Sequence, residues 1–310
     1  MSDTATAPLA DLHRHLEGSI RPSTAHELAL RTGAQPRRTD FVAGLEGDLL
    51  PYLAKIENAA RHATRAADWA RITREAIADA CDDGLGALEL RFSPRFVAGM
   101  TGLDADAVVD VVADAATSHG LPIDVGLIGI VVRDEGPDAA DHQMAALLRH
   151  TDRLVGVDLA GDEAGFPVAR FAAAFDRAHH AGVPVTIHAG EAAGPESVWD
   201  AVRHLRPRRI GHGVRSAEDP RLLDRLAADG ITLEVAITSN VQTGAATDRA
   251  HHQLSALVAA GVPVALCTDN PSVSNTRLSR EYDLARDLVG DDAAERIRRH
   301  AFTARFGAAH

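Results

Sequence analysis

Eight short apolar runs recur along the chain and constrain its fold more than any other feature: Leu9–His13, Ala87–Phe92, Ile123–Val132, Leu154–Leu159, Val183–His188, Arg209–His212, Ile231–Ile237 and Val262–Thr268. Several are continuous rather than alternating, as in Val125-Gly126-Leu127-Ile128-Gly129-Ile130-Val131-Val132. A strand that is apolar on both sides needs cover on both faces, which parallel strands between helices provide. Intervening stretches such as Ala105–Ser118 and Val168–Ala181 carry apolar residues at helical spacing. Strand alternating with helix eight times predicts an α/β chain, a (β/α)8 barrel of the TIM type. A barrel of this kind accounts for residues 1–310 as one domain. The stretch from Ser19 to Gly84 breaks the rhythm, with helical patterns and no strand. We read it as a helical insertion after the first strand, with residues 40–65 forming a lid, because βα loops lie on the catalytic face of a barrel.

Bulk properties narrow the function classes. Hydrophobic residues make up 45% and aromatics only 4%, so the core must be built from Ala, Val, Leu and Ile. A net charge of −12 disfavours nucleic acid and anionic membranes as partners. Cys81 and Cys267 lie far apart without a C-x-x-C, which removes a thiolate zinc knot and a redox pair and fits a reducing cytoplasm. Residues 1–8 are small and polar with no secretory pattern, and no run reaches bilayer length. A cytoplasmic protein is expected, with a frayed tail after Phe306.

Polar clusters sit at the ends of four of the runs: His13-Arg14-His15, His188-Ala189-Gly190-Glu191, Gly211-His212-Gly213 and Thr268-Asp269-Asn270. In a parallel barrel the carboxyl ends of the strands converge on one mouth, where catalytic residues gather. His13 and His15 are two residues apart, so both rings face one side of an extended strand, and Arg14 faces the other. With His188 and Asp269 they make three imidazoles and one carboxylate, a set that suits one Zn²⁺ ion, with Fe²⁺ or Co²⁺ as alternatives. An open coordination position would hold a water whose pKa falls to about 7. Glu191, three residues past His188, is placed to act as a general acid, or merely to sit at a helix N-terminus. His212 between two glycines could accept a proton or be a buried structural ring. The remaining histidines lie in helices, loops or the tail; of His251 and His252, one could face the mouth.

These residues fall in ordered motifs that resemble the adenosine deaminase family of amidohydrolases. Asp11-Leu12-His13-Arg14-His15-Leu16-Glu17-Gly18-Ser19 resembles its first-strand metal motif. Asp158-Leu159-Ala160-Gly161-Asp162-Glu163 resembles the fourth, and His188-Ala189-Gly190-Glu191 the fifth. Arg209-Ile210-Gly211-His212-Gly213, Thr238-Ser239-Asn240-Val241-Gln242-Thr243-Gly244 and Cys267-Thr268-Asp269-Asn270-Pro271 resemble the sixth, seventh and eighth. The resemblance spans residues 9 to about 285. It implies zinc ligation by His13, His15, His188 and Asp269, and catalysis by Glu191, His212 and Asp269. Glu191 would protonate purine nitrogen 1, and His212 would orient and deprotonate the attacking water. Substrate contacts would come from His15, from Glu17 near the ribose 5′-hydroxyl, from the Gly161 backbone at nitrogen 3 and from Asn270 at nitrogen 7.

The implied reaction is hydrolytic deamination of adenosine or 2′-deoxyadenosine to the inosine product and ammonia, a hydrolase reaction on a small-molecule substrate. Asn270 stands where many family members carry Asp, and Glu17 is longer than the more usual Asp. The segment from Tyr52 to His62 carries polar Asn58, Arg61 and His62, so a less apolar lid is expected. These departures keep other substrates in view: aminodeoxyfutalosine, 5′- or N6-substituted adenine compounds, adenine, or another aminated heterocycle. A metal-bound nucleoside binder without turnover is the alternative from a different class.

Overall fold

The structure is a computed structural model and describes residues 7–307. Its strands are β1 (Leu9–His15), β2 (Leu85–Phe92), β3 (Asp124–Val132), β4 (Gly156–Ala160), β5 (Val185–Ala189), β6 (Arg209–His212), β7 (Thr232–Val235) and β8 (Val264–Leu266). They pair in parallel and in chain order. The seam between β8 and β1 closes just past β8: the Asp269 amide donates to the His13 carbonyl, and the His15 amide to the Asp269 carbonyl, each at 2.8 Å. This is the expected (β/α)8 barrel. β8 stops earlier than its apolar run suggests, because the Thr268 hydroxyl bonds the Asp11 carboxylate at 2.5 Å. Most of the polar N-terminal segment and of the tail after Phe306 lies outside the described residues.

The helices follow from capping and apolar spacing. The helix Ala105–Thr117 starts where the Asp104 side chain accepts the Ala107 amide, and it buries Val108, Val109, Val112, Ala113 and Ala116 along one stripe. The first crossover holds three helices, α1 (Pro22–Arg31), α2 (Leu49–Ala60) and α3 (Ala66–Asp82), so the segment without strands is helical as read. Among the described residues, no helix is long and apolar enough to cross a membrane.

The barrel interior carries charge where apolar layers are usual. Arg91 bonds Asp158 and Glu234, both at 2.8 Å. Arg209 bonds Glu234 at 2.6 Å and also Glu89. All five side chains are buried. Phe306 plugs the amino end below them: its amide donates to Glu89 at 2.5 Å, and the Arg209 guanidinium lies 3.6 Å from its ring centre. A Cβ at Gly156 would sit 2.4 Å from that ring, so β4 can begin there only with glycine unless the plug shifts.

Candidate metal centre and active site

The carboxyl ends of β1 and β5 and the residue closing the seam bring His13, His15, His188 and Asp269 together. The Nε2 atoms of His13 and His15 are 3.2 Å apart, as are those of His15 and His188. Asp269 Oδ1 lies 3.4 Å from His13 Nε2 and 3.3 Å from His15 Nε2. A second contact sets which nitrogen of each ring is free. His13 Nδ1 lies 2.8 Å from Glu234 Oε2, and His188 Nδ1 lies 3.0 Å from Asp158 Oδ2. Both carboxylates are held well below the usual range: burial opposes ionisation, but Arg91 favours it in both, helped by His188 at Asp158 and by Arg209 at Glu234. They can only accept, so the ring protons sit on Nδ1 and the Nε2 lone pairs converge.

Converging lone pairs 3.2 Å apart repel one another unless a cation lies between them. Donor atoms about 2.0–2.1 Å from one zinc ion can lie about 3.3 Å apart, as the four donor pairs at 3.2–3.4 Å do, and the whole set falls within 4.8 Å, so the donors fit a single ion. Burial holds the pKa of His15 and His188 below that of an ordinary imidazole, which keeps them neutral and able to ligate. Ser239 donates to Asp269 Oδ2 at 2.6 Å and leaves Oδ1 facing the histidines.

His212 and Asp269 have φ of 62° and 59°, in the left-handed region that non-glycine residues seldom adopt. Such strain concentrates at functional sites when surrounding contacts enforce it. At Asp269 the two seam bonds do so. At His212 the neighbour is Gly211, where a Cβ would lie 2.9 Å from His13 Cε1 and 3.3 Å from His188 Cγ. Only glycine at 211 lets β6 pass the two histidine rings without a shift, and Gly213 follows with φ of 64°.

Glu191 Oε2 lies 3.5 Å from His212 Nε2. Burial, and then the charges of Asp269 and Glu163, push the Glu191 pKa well above the ordinary carboxylate value, which favours its protonated form. Its loop is fixed from below. The Glu163 carboxylate accepts four successive amides, Gly190 (2.6 Å), Glu191 (3.0 Å), Ala192 (2.7 Å) and Ala193 (3.1 Å). Arg133 donates to the His188 carbonyl at 2.6 Å.

Over these groups lies a cavity of about 380 Å³, within the ~300–1,000 Å³ of small-ligand sites. His15, Glu17, Gly161, His188, Glu191, His212, Asp269 and Asn270 all line it, so most of the residues singled out from the sequence share one pocket; His13 lies beneath. Glu17 Oε1 accepts the Ser93 amide at 2.7 Å, whereas Oε2 is buried without a partner, and burial pushes this carboxyl up to about 7. Asn270 Oδ1 is buried against Gly18, where a Cβ would lie 1.9 Å from it. Gly161 has φ of 114° beside Asp134, a conformation that needs glycine.

The expectation of a less apolar lid is not met on the side that faces the pocket. The α2 residues lining the pocket are mainly Leu49, Leu50, Tyr52, Leu53 and Ile56. Asp48 caps this helix, and the 3–4 spacing of those side chains turns one apolar stripe inward. Arg61 lies outside, 3.6 Å from Glu57, and His62 bonds Thr32 on the far side at 2.7 Å. Sequence reasoning also passed over Asp158, Glu163, Glu234, Ser239 and Asn240 as working residues. Glu234 had one available sign, a carboxylate inside an apolar strand.

An eight-stranded barrel with a candidate metal-binding group of three histidines and one aspartate at its mouth fits a metal-dependent hydrolase of the amidohydrolase type. Residues 8–308 match the family described as adenosine deaminase, and the chain belongs to that family. It is accordingly a hydrolase acting on carbon–nitrogen bonds. It is 41% identical over 296 residues to the adenosine deaminase of Klebsiella pneumoniae strain 342, covering 92% of this chain and 89% of that one. The adenine deaminase of Arthrobacter aurescens superposes with a TM-score of 0.90 at 25% identity, covering 97% and 94% of the two chains. The N6-methyl-AMP deaminase of Arabidopsis thaliana gives 0.84 at 27% identity, covering 97% and 92%.

Proposed function

We propose that the chain hydrolyses adenosine and 2′-deoxyadenosine to inosine and 2′-deoxyinosine with release of ammonia, as one domain acting in the cytoplasm. His13, His15, His188 and Asp269 would hold one zinc ion, whose Lewis acidity activates water near neutral pH when it is bound. Protonated Glu191 donates to purine nitrogen 1, which makes carbon 6 electrophilic. His212 Nε2 faces the same space and orients the attacking water. Asn270 has its Oδ1 turned onto Gly18, so its amide N–H is the group left to donate to nitrogen 7. Gly161 offers its backbone to nitrogen 3, and the unpartnered oxygen of Glu17 is the receptor for a ribose hydroxyl.

The observation that carries the neutral-substrate reading is the charge of the lining. Among the described residues the pocket is lined by Glu17, Glu57, Asp134, Glu191 and Asp269 and by no Lys or Arg. A 5′-phosphate would enter without a Lys or Arg partner and near the acidic Glu57 and Asp134, which disfavours it. The test is metal analysis together with kcat/KM for adenosine, 2′-deoxyadenosine, adenine, AMP, N6-methyl-AMP and aminodeoxyfutalosine. Adenosine and its 2′-deoxy form should lead, with AMP slower by about 100-fold or more. A phosphorylated substrate in first place would overturn the reading, and a zinc-loaded protein that turns over none of them would be a binder only.

A further inference from the structure

His212 could face its pocket as a proton acceptor or as a proton donor, and a buried chain of three hydrogen bonds decides between them. His212 Nδ1 is 2.9 Å from the Asn240 side-chain amide, and Asn240 Oδ1 is 3.3 Å from His252 Nε2. The Leu254 backbone amide donates to His252 Nδ1 at 3.1 Å. His212, Asn240 and His252 are all buried.

The direction of the chain follows from its far end. A backbone N–H can only donate, so His252 Nδ1 carries no proton and its Nε2 must carry one. Nε2–H in turn needs an acceptor, which places the Asn240 oxygen toward His252 and the Asn240 nitrogen toward His212. The opposite amide orientation would set two donors face to face at His252. Asn240 then donates to His212 Nδ1, and the proton of a neutral His212 ring is left on Nε2, toward Glu191 Oε2. The Asn240 backbone is itself pinned: its amide donates to the Ala236 carbonyl and its carbonyl accepts the Ala246 amide, both at 2.8 Å.

We propose that His252 and Asn240 are positioning residues that fix the ring of His212 as the Nε2–H tautomer, so that His212 acts on the attacking oxygen as a hydrogen-bond donor. The catalytic consequence rests on the deaminase reading above; the tautomer does not. Neither Asn240 nor His252 lines the pocket, and both act through His212.

Two measurements on the zinc-loaded full chain test this. In ¹⁵N-histidine-labelled protein, with His212 assigned by its loss in His212→Asn, its Nδ1 should resonate as an unprotonated nitrogen and its Nε2 as a protonated one. The reverse pattern overturns the proposal, and this spectrum of the unaltered chain decides even if every variant misfolds. In kinetics, His252→Phe should lower kcat 10-fold or more with KM within about 2-fold. His252→Gln, whose amide can still donate to Asn240, should recover to within about 3-fold of the original kcat. Equal kcat for His252→Phe and the original chain, or Gln no better than Phe at matched Tm, overturns the positioning role. Absence of adenosine turnover by the unaltered chain would defeat the deaminase reading and leave the tautomer result standing.

Discussion

Each side of the pocket is held in its own way. On the floor, the side chains behind the clustered histidines are buried ionised groups: Glu234 at His13 and Asp158 at His188, themselves tied to Arg91 and Arg209. On the wall supplied by α2 the contacts are apolar, and the polar tie from the helix to the barrel end is the Tyr52 hydroxyl, 2.7 Å from Ser274 Oγ. A charged network in a low-dielectric interior resists displacement, because moving one member leaves an unpaired charge. An apolar stripe is held by contact area, which is non-directional and can slide. The clustered histidines thus sit on the rigid side of the pocket and the α2 stripe on the compliant one.

The comparison predicts unequal costs. Glu191→Gln should lower kcat by about 10³-fold or more while metal content stays unchanged, because the amide cannot deliver the proton. Activity within 10-fold of the original would remove Glu191 from the acid role. Glu234→Gln should destabilise the fold by about 3–5 kcal/mol, since it leaves Arg91 and Arg209 short of a counter-charge. It should also weaken metal binding by about 10–100-fold through His13. Denaturant unfolding and metal competition report the two effects separately, and an unchanged midpoint would mean the interior charges do not brace the floor.

A third test lies in the loop behind His212. Burial pulls the pKa of His252 down from 6.5 to about 4. Between those values the unfolded chain binds a proton that the folded chain does not. The stability from this site is thus complete above pH 6.5 and falls as pH drops toward 4, by about 3 kcal/mol. His252→Gln should lose that part of the acid slope; parallel stability curves for the two proteins from pH 7 to pH 4 would refute the shift. The smallest effect is expected on the wall. Tyr52→Phe should cost about 1 kcal/mol or less and raise KM a few-fold with kcat nearly kept. If Tyr52→Phe proved more destabilising than Glu234→Gln, the contrast between floor and wall would be inverted.

Much of this site was legible because barrels translate sequence order into place. His13, His15, His188, His212 and Asp269 each lie at or beyond the end of an apolar run, and the parallel topology sends all those ends to one mouth. The inward face of α2 is not legible from Asn58 or from Arg61 and His62 beyond its end, because which stripe turns inward depends on what the helix packs against. The task of Glu163 is not legible locally, since its four amide partners lie 27 to 30 residues away along the chain.

By itself the sequence determined the period of each element, the eightfold alternation of strand and helix, and the kinds of side chain delivered to the strand ends. Those are local properties, set by burial pattern and backbone geometry within a few residues. The tertiary structure alone decided the pairing of His13 with Glu234, 221 residues apart, the left-handed backbones of His212 and Asp269, and the direction of the Leu254–His252–Asn240–His212 chain. Each of these depends on tertiary packing, which brings distant strands and loops within hydrogen-bond reach of one another.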